Sequence, residues 1–159
     1  MIFRNYNSSK QNNSFIAAVC SIGSLGGLLF GFDTAVISGT FSFIEQYFSL
    51  NEIEIGWFAS SALIGAIIGA LVSGSLSDRF GRKPILIIAS FLFFISALGC
   101  TIPNSFIFLI VARIIGGIGV GMASVLAPLY ISEFSPPKIR GKLIALYQLS
   151  IVIGILLAY

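Results

Sequence analysis

The chain has 159 residues, of which 57% are hydrophobic and only 9% charged, with a net charge of +3 and a mean hydropathy of +1.01. Soluble domains run near a quarter charged, so this composition excludes one and predicts an integral membrane protein. With no histidine, His-based metal sites and catalytic triads are excluded, and the small positive charge needs no nucleic-acid partner, because membrane lipid suffices.

At roughly 20 apolar residues per span the length holds about five helices. Residues 1–14, polar and carrying Arg4 and Lys10, read as a tail. The first predicted helix covers 15–39. It is uncleaved, because the apolar run passes Asp33 without a convincing small-residue cleavage site. Thr40 to Glu54 holds Glu45, Glu52 and Glu54 and no cation, and reads as an outside loop. The second helix, 55–77, ends at Asp78-Arg79-Phe80-Gly81-Arg82-Lys83, whose charges cannot lie in hydrocarbon and so predict a tight aqueous turn.

Pro84 suits the first turn of a third helix over 84–102, where its missing N–H is no loss. Pro103-Asn104-Ser105 is turn chemistry, and a fourth helix follows over 106–131. Ser132 to Lys142, with Glu133, Lys138, Arg140 and Lys142, is a second cationic loop, and 143–159 is a fifth apolar run. Every Lys and Arg except Arg113 falls in the tail or these two loops, so the retention of cations inside predicts a cytoplasmic amino terminus. Cys20 and Cys100 fall in opposite leaflets, on the order of 15 Å apart by helical rise, and are expected to be unpaired.

Small residues recur every fourth position: Ser61, Gly65, Gly69, Ser73 and Ser77 in the second helix, Gly23, Gly27 and Gly31 in the first, Gly117 and Gly121 in the fourth. Such stripes let helix backbones approach closely in lipid, either as fixed packing or as a moving interface. Gly26-Gly27-x-x-x-Gly31 and Gly116-Gly117-x-x-x-Gly121 share one spacing on helices of opposite direction, as an inverted three-helix repeat would.

Asp33 and Arg113 are the ionisable residues well inside predicted spans, each roughly 10 Å below the outer surface by helical rise. Pairing is their cheapest arrangement. The pair either fixes helix packing permanently or couples to protons. In a desolvated crevice a carboxyl takes up a proton when a guanidinium moves away and releases it when the guanidinium returns.

Gly74-x-x-x-Asp78-Arg79-x-Gly81-Arg82-Lys83 resembles the loop between helices two and three of the major facilitator superfamily. Arg113-x-x-x-Gly117-x-Gly119-x-Gly121, Pro128-x-Tyr130-x-x-Glu133-x-x-Pro136-x-x-x-Arg140-Gly141, and Tyr147-Gln148-Leu149 with Gly154 narrow the likeness to its sugar porters. Gly26 to Gly39 is most similar to bacterial proton-linked pentose and hexose permeases. The resemblance implies an all-α membrane bundle, the first five helices of a twelve-helix fold of two halves, moving a monosaccharide with a proton by alternating access in the inner membrane.

By that resemblance Asp33 and Arg113 couple the proton, since sugar facilitators that work without protons carry a neutral Asn at the Asp33 position. Gln148 would hydrogen-bond sugar hydroxyls and Phe30 would line the sugar site; on its own chemistry Gln148 could equally make a packing hydrogen bond between helices. Gly74, Asp78, Arg79, Gly81, Arg82, Glu133 and Arg140 would form a cytoplasmic gate, or else an ordinary solvated loop. The chain ends in the fifth span, so it is expected to be an amino-terminal fragment partnered by a missing carboxy-terminal half. The alternatives are a sugar uniporter with a purely structural Asp33–Arg113 pair, and a non-transporting remnant or scaffold that binds partner helices. No nucleophile–base set, metal cluster or nucleotide loop is present, so neither enzyme chemistry nor a cofactor or metal is expected.

Overall fold

The computed structural model describes residues 13–101 and 105–159, with the side chains of the first helix from Cys20 onward. Most of the predicted tail and the Pro103-Asn104 turn lie outside the described residues. Five helices follow one another: α1 (Asn13–Phe48), α2 (Glu52–Phe80), α3 (Arg82–Thr101), α4 (Phe106–Phe134) and α5 (Arg140–Ala158). Each is long and apolar enough to cross a membrane.

All five run past at least one boundary that composition suggested. Thr40 to Phe48 continues α1 as helix rather than forming a loop. At 1.5 Å per residue the 36 residues of α1 reach about 54 Å, well beyond a hydrocarbon core of about 30 Å, so Glu45 can stand in water on an unbroken helix. Aromatic contacts steady the extension: Phe41 meets Phe58 edge-on at 5.8 Å, and Phe48 lies 6.2 Å from Phe106. Asn51 then caps α2, accepting from the Glu54 amide while the Glu54 carboxylate accepts from the Asn51 amide, both at 2.9 Å. Asp78 and Arg79 belong to the last turn of α2, so the predicted six-residue turn contracts to Gly81. Gly81 has φ +89°, a conformation that side chains resist.

Two parallel pairs of helices are built on small residues. In the α2–α4 pair, a β-carbon on Gly65 or Gly69 would overlap the carbonyl of Ile114 or Ile118, and one on Gly117 or Gly121 would overlap that of Ala62 or Ala66. In the α1–α5 pair, Gly27 and Gly31 press on the backbones of Tyr147 and Ile151, and Gly154 on that of Leu28. Three of the four α2–α4 contacts recur in α1–α5. At one constant offset, Gly27, Leu28 and Gly31 become Gly117, Ile118 and Gly121; at a second, Ala62, Ala66 and Gly69 become Tyr147, Ile151 and Gly154. The α1–α5 seam therefore repeats the α2–α4 seam, with α1 and α4 running in opposite directions, as an inverted repeat requires.

α3 lies antiparallel on another face of α4, where Ile85 and Ala89 pack with Met122 and Leu126 in a fully buried cluster. A second cluster joins α1, α4 and α5 through Cys20, Ala127, Ile131 and Tyr147. Cys20 and Cys100 are both free thiols. The buried hydroxyls of α2 satisfy themselves: Ser61, Ser73 and Ser77 donate to Phe58, Ala70 and Gly74 carbonyls at 2.7, 2.8 and 3.0 Å.

Candidate functional site

Asp33 and Arg113 meet. Arg113 Nη1 lies 3.3 Å from Asp33 Oδ2 and 3.5 Å from Oδ1, across the contact between α1 and α4. The Arg113 side chain is 9% exposed and the Asp33 side chain 33%, so the base is fixed in the bundle while the acid looks into open space. Gly116 and Gly117 follow one turn beyond Arg113 and admit the Ser96 side chain and the Ala62 backbone, which holds that stretch of α4 deep in the bundle. The Phe58 ring lies 6.0 Å from the Arg113 guanidinium carbon, close enough for cation–π attraction. Arg113 Nε has no hydrogen-bond partner among the described residues.

Beside the pair is a cavity of about 350 Å³. Its walls come from α1 (Leu29, Phe32, Asp33, Val36, Ile37, Thr40, Ile44), α3 (Phe93, Ser96, Ala97, Cys100, Thr101), α4 (Leu109, Arg113) and Phe58. They are mostly apolar, and Asp33 and Arg113 are the only charged groups among them. The Asp33 carboxylate borders this cavity, and the Arg113 guanidinium beside it compensates its charge.

Phe30 and Gln148 are not part of this wall. Phe30 is half-buried on α1, and Gln148 is exposed on α5 with no hydrogen bond among the described residues.

At the end of the bundle that carries the cationic segments, Arg82 ties three helices. Its Nη1 donates to Asp78 Oδ1 at 2.6 Å and to Ser77 Oγ at 3.0 Å, and its Nε to Glu133 Oε1 at 3.1 Å. The sharp turn at Gly81 starts α3 directly over the end of α2, which puts Arg82 within reach of the last turns of α2 and α4. Arg79 stacks its guanidinium 5.4 Å from the Phe80 ring, Gly74 is exposed one turn before Asp78, and Arg140 makes no ion pair among the described residues. Of the predicted gate residues, Asp78, Arg82 and Glu133 are thus joined, and Arg79 and Arg140 stand apart from them.

Two contributors escaped the sequence reading, Phe58 under Arg113 and Ser77 under Arg82. Both belong to the buried stripe Phe58, Ser61, Gly65, Gly69, Ser73, Ser77, so the same helical spacing could have flagged them.

An all-helical bundle with an acid–base pair in its interior and small-residue seams in inverted register fits the resemblance to the major facilitator superfamily. Residues 19–159 match the family described as "Sugar (and other) transporter", and the chain belongs to that family. It is 48% identical over 137 residues to a D-xylose transporter of Levilactobacillus brevis, covering 86% of this chain and 30% of that protein. It is 48% identical over 145 residues to an arabinose-proton symporter of Bacillus subtilis, covering 91% of this chain and 31% of that protein. Among solved structures it resembles a major facilitator superfamily proton:xylose symporter bound to 6-bromo-6-deoxy-D-glucose, with a TM-score of 0.84 and 43% identity over 92% of this chain and 36% of that one. The chain therefore spans about a third of the length of these relatives.

Proposed function

We propose that the chain is the amino-terminal portion of a transporter that moves a pentose or hexose together with a proton across the inner membrane, its amino terminus cytoplasmic. The observation that carries this reading is the 3.3 Å contact between a half-exposed carboxylate and a buried guanidinium at the edge of a cavity. A pair serving packing alone gains nothing from leaving its acid open. A coupling acid must be reachable in one state and neutralised in another. The names of the relatives support the sugar and the proton, and the grouping of Arg79, Arg82, Lys83, Lys138, Arg140 and Lys142 at one end supports the orientation.

In this reading Asp33 carries the proton and Arg113 sets when it is held. Gln148 and Phe30 contribute to a sugar site completed by a carboxy-terminal half, where an exposed amide on α5 offers both a donor and an acceptor to a neutral polyol. The Arg82–Asp78–Glu133 cluster, with Arg79 and Arg140 nearby in sequence, latches the cytoplasmic side by holding the ends of α2, α3 and α4 together.

The test is Asp33→Asn in the complete transporter, reconstituted in vesicles. Gradient-driven sugar accumulation is lost while sugar exchange continues. Undiminished accumulation would leave a uniporter with a structural ion pair as the answer.

A further inference from the structure

Cys100 is a free thiol that the transport reading leaves without a task. It stands half-buried in the last turn of α3 and lines the cavity together with Asp33 and Arg113. Gly99 brings that turn against α4, where a β-carbon on it would lie 3.0 Å from the Ala112 methyl, one residue before Arg113. Cys100 and Arg113 therefore face the cavity at one level of the bundle, and the thiol is within electrostatic reach of the guanidinium and of the Asp33 carboxylate. Cys20, by contrast, is buried among Ala127, Ile131 and Tyr147 and does not line the cavity.

A second observation points the same way. The Arg113 side chain is 9% exposed and its Nε has no hydrogen-bond partner among the described residues, so the guanidinium keeps an unused donor. Asp33 and Arg113 are the charged groups of this wall, and their charges cancel while they are paired. Once Asp33 is neutral, the guanidinium is left unpaired, which is costly for a buried charge. A Cys100 thiolate is the anion that this wall can still supply, and the thiolate is the nucleophilic form of cysteine.

We infer that Cys100 is a covalent-modification site for small uncharged electrophiles of the activated-alkene class, and that its reactivity reports the charge of Asp33. Mostly apolar walls around about 350 Å³ admit a compact uncharged reagent and disfavour a charged one. The Cys100 sulfur adds to the alkene. One C–S bond forms and the C=C π bond opens; the thiol proton leaves to water and the adjacent carbon takes a proton from water, so no oxidant or reductant is required. This inference rests on the cavity and not on proton coupling. A purely structural ion pair would give the same chemistry, so the two readings can fail separately.

The test treats membranes holding the protein, expressed from its gene with all downstream sequence in place, with N-ethylmaleimide. Peptide mass spectrometry follows the adducts at Cys100 and Cys20. Cys100 is expected to react about tenfold faster than Cys20, and Asp33→Asn to speed Cys100 about tenfold again by enlarging its thiolate fraction, with Cys20 unchanged. Equal rates at the two cysteines, or a Cys100 rate indifferent to Asp33→Asn, overturn the inference. Should Asp33→Asn fail to accumulate, Val36→Trp fills part of the cavity from α1 and is expected to slow Cys100 while leaving Cys20 as it was. An unchanged Cys100 rate in that variant overturns the inference as well.

Discussion

α1 and α4 carry the same glycine spacing and play unequal parts. α4 is enclosed by α1, α2, α3 and α5, and even its arginine is buried. α1 has α5 on one side, α4 behind it and an open face along Ile22, Gly26 and Leu29. Like patterns in a membrane helix therefore give unlike burial, because each stripe records only that a backbone can be approached. Whether it is approached depends on which neighbours are present. The acid–base pair inherits this asymmetry: the base sits on the enclosed helix and the acid, more exposed, on the open one.

Three alanine substitutions in residues 1–159 separate these grades of enclosure, each read from unfolding in a denaturing detergent titration. Gly117→Ala drives a methyl into the Ala62 carbonyl, a backbone atom that cannot step aside, and is expected to cost about 3 kcal/mol as α2 and α4 are forced apart. A loss no greater than that at Gly27 would mean that these two positions are equally enclosed. Gly27→Ala meets the Tyr147 carbonyl at 3.0 Å and its ring at 3.2 Å; small shifts absorb part of this, leaving a cost of about 1 kcal/mol. Gly26→Ala meets nothing and should stabilise the helix by about 0.5 kcal/mol through backbone propensity alone.

Much of the bundle was legible beforehand because hydrocarbon is a strict solvent. The charges around Asp78 and Arg140 could only end spans, and the four-residue recurrence from Ser61 to Ser77 could only make one helix face, which is the buried face of α2. Asp33 and Arg113 could be matched because uncompensated charges at such depth are costly. Helix ends were less legible. Glu45 and Asp78 showed that their surroundings are aqueous, but water does not oblige a helix to stop, and aromatic contacts or an Asn51 cap carry the backbone on.

By itself the amino-acid sequence determined that this chain crosses a membrane, roughly where, and which two charges would seek each other there, since apolar length and the cost of bare charge are properties of the residues alone. Only the tertiary structure decided that α4 is the enclosed helix and α1 the open one, that Arg82 gathers Asp78 and Glu133, and that Asp33 borders a cavity. Those outcomes depend on which glycine faces which carbonyl, a matter of register between distant segments that no local pattern contains.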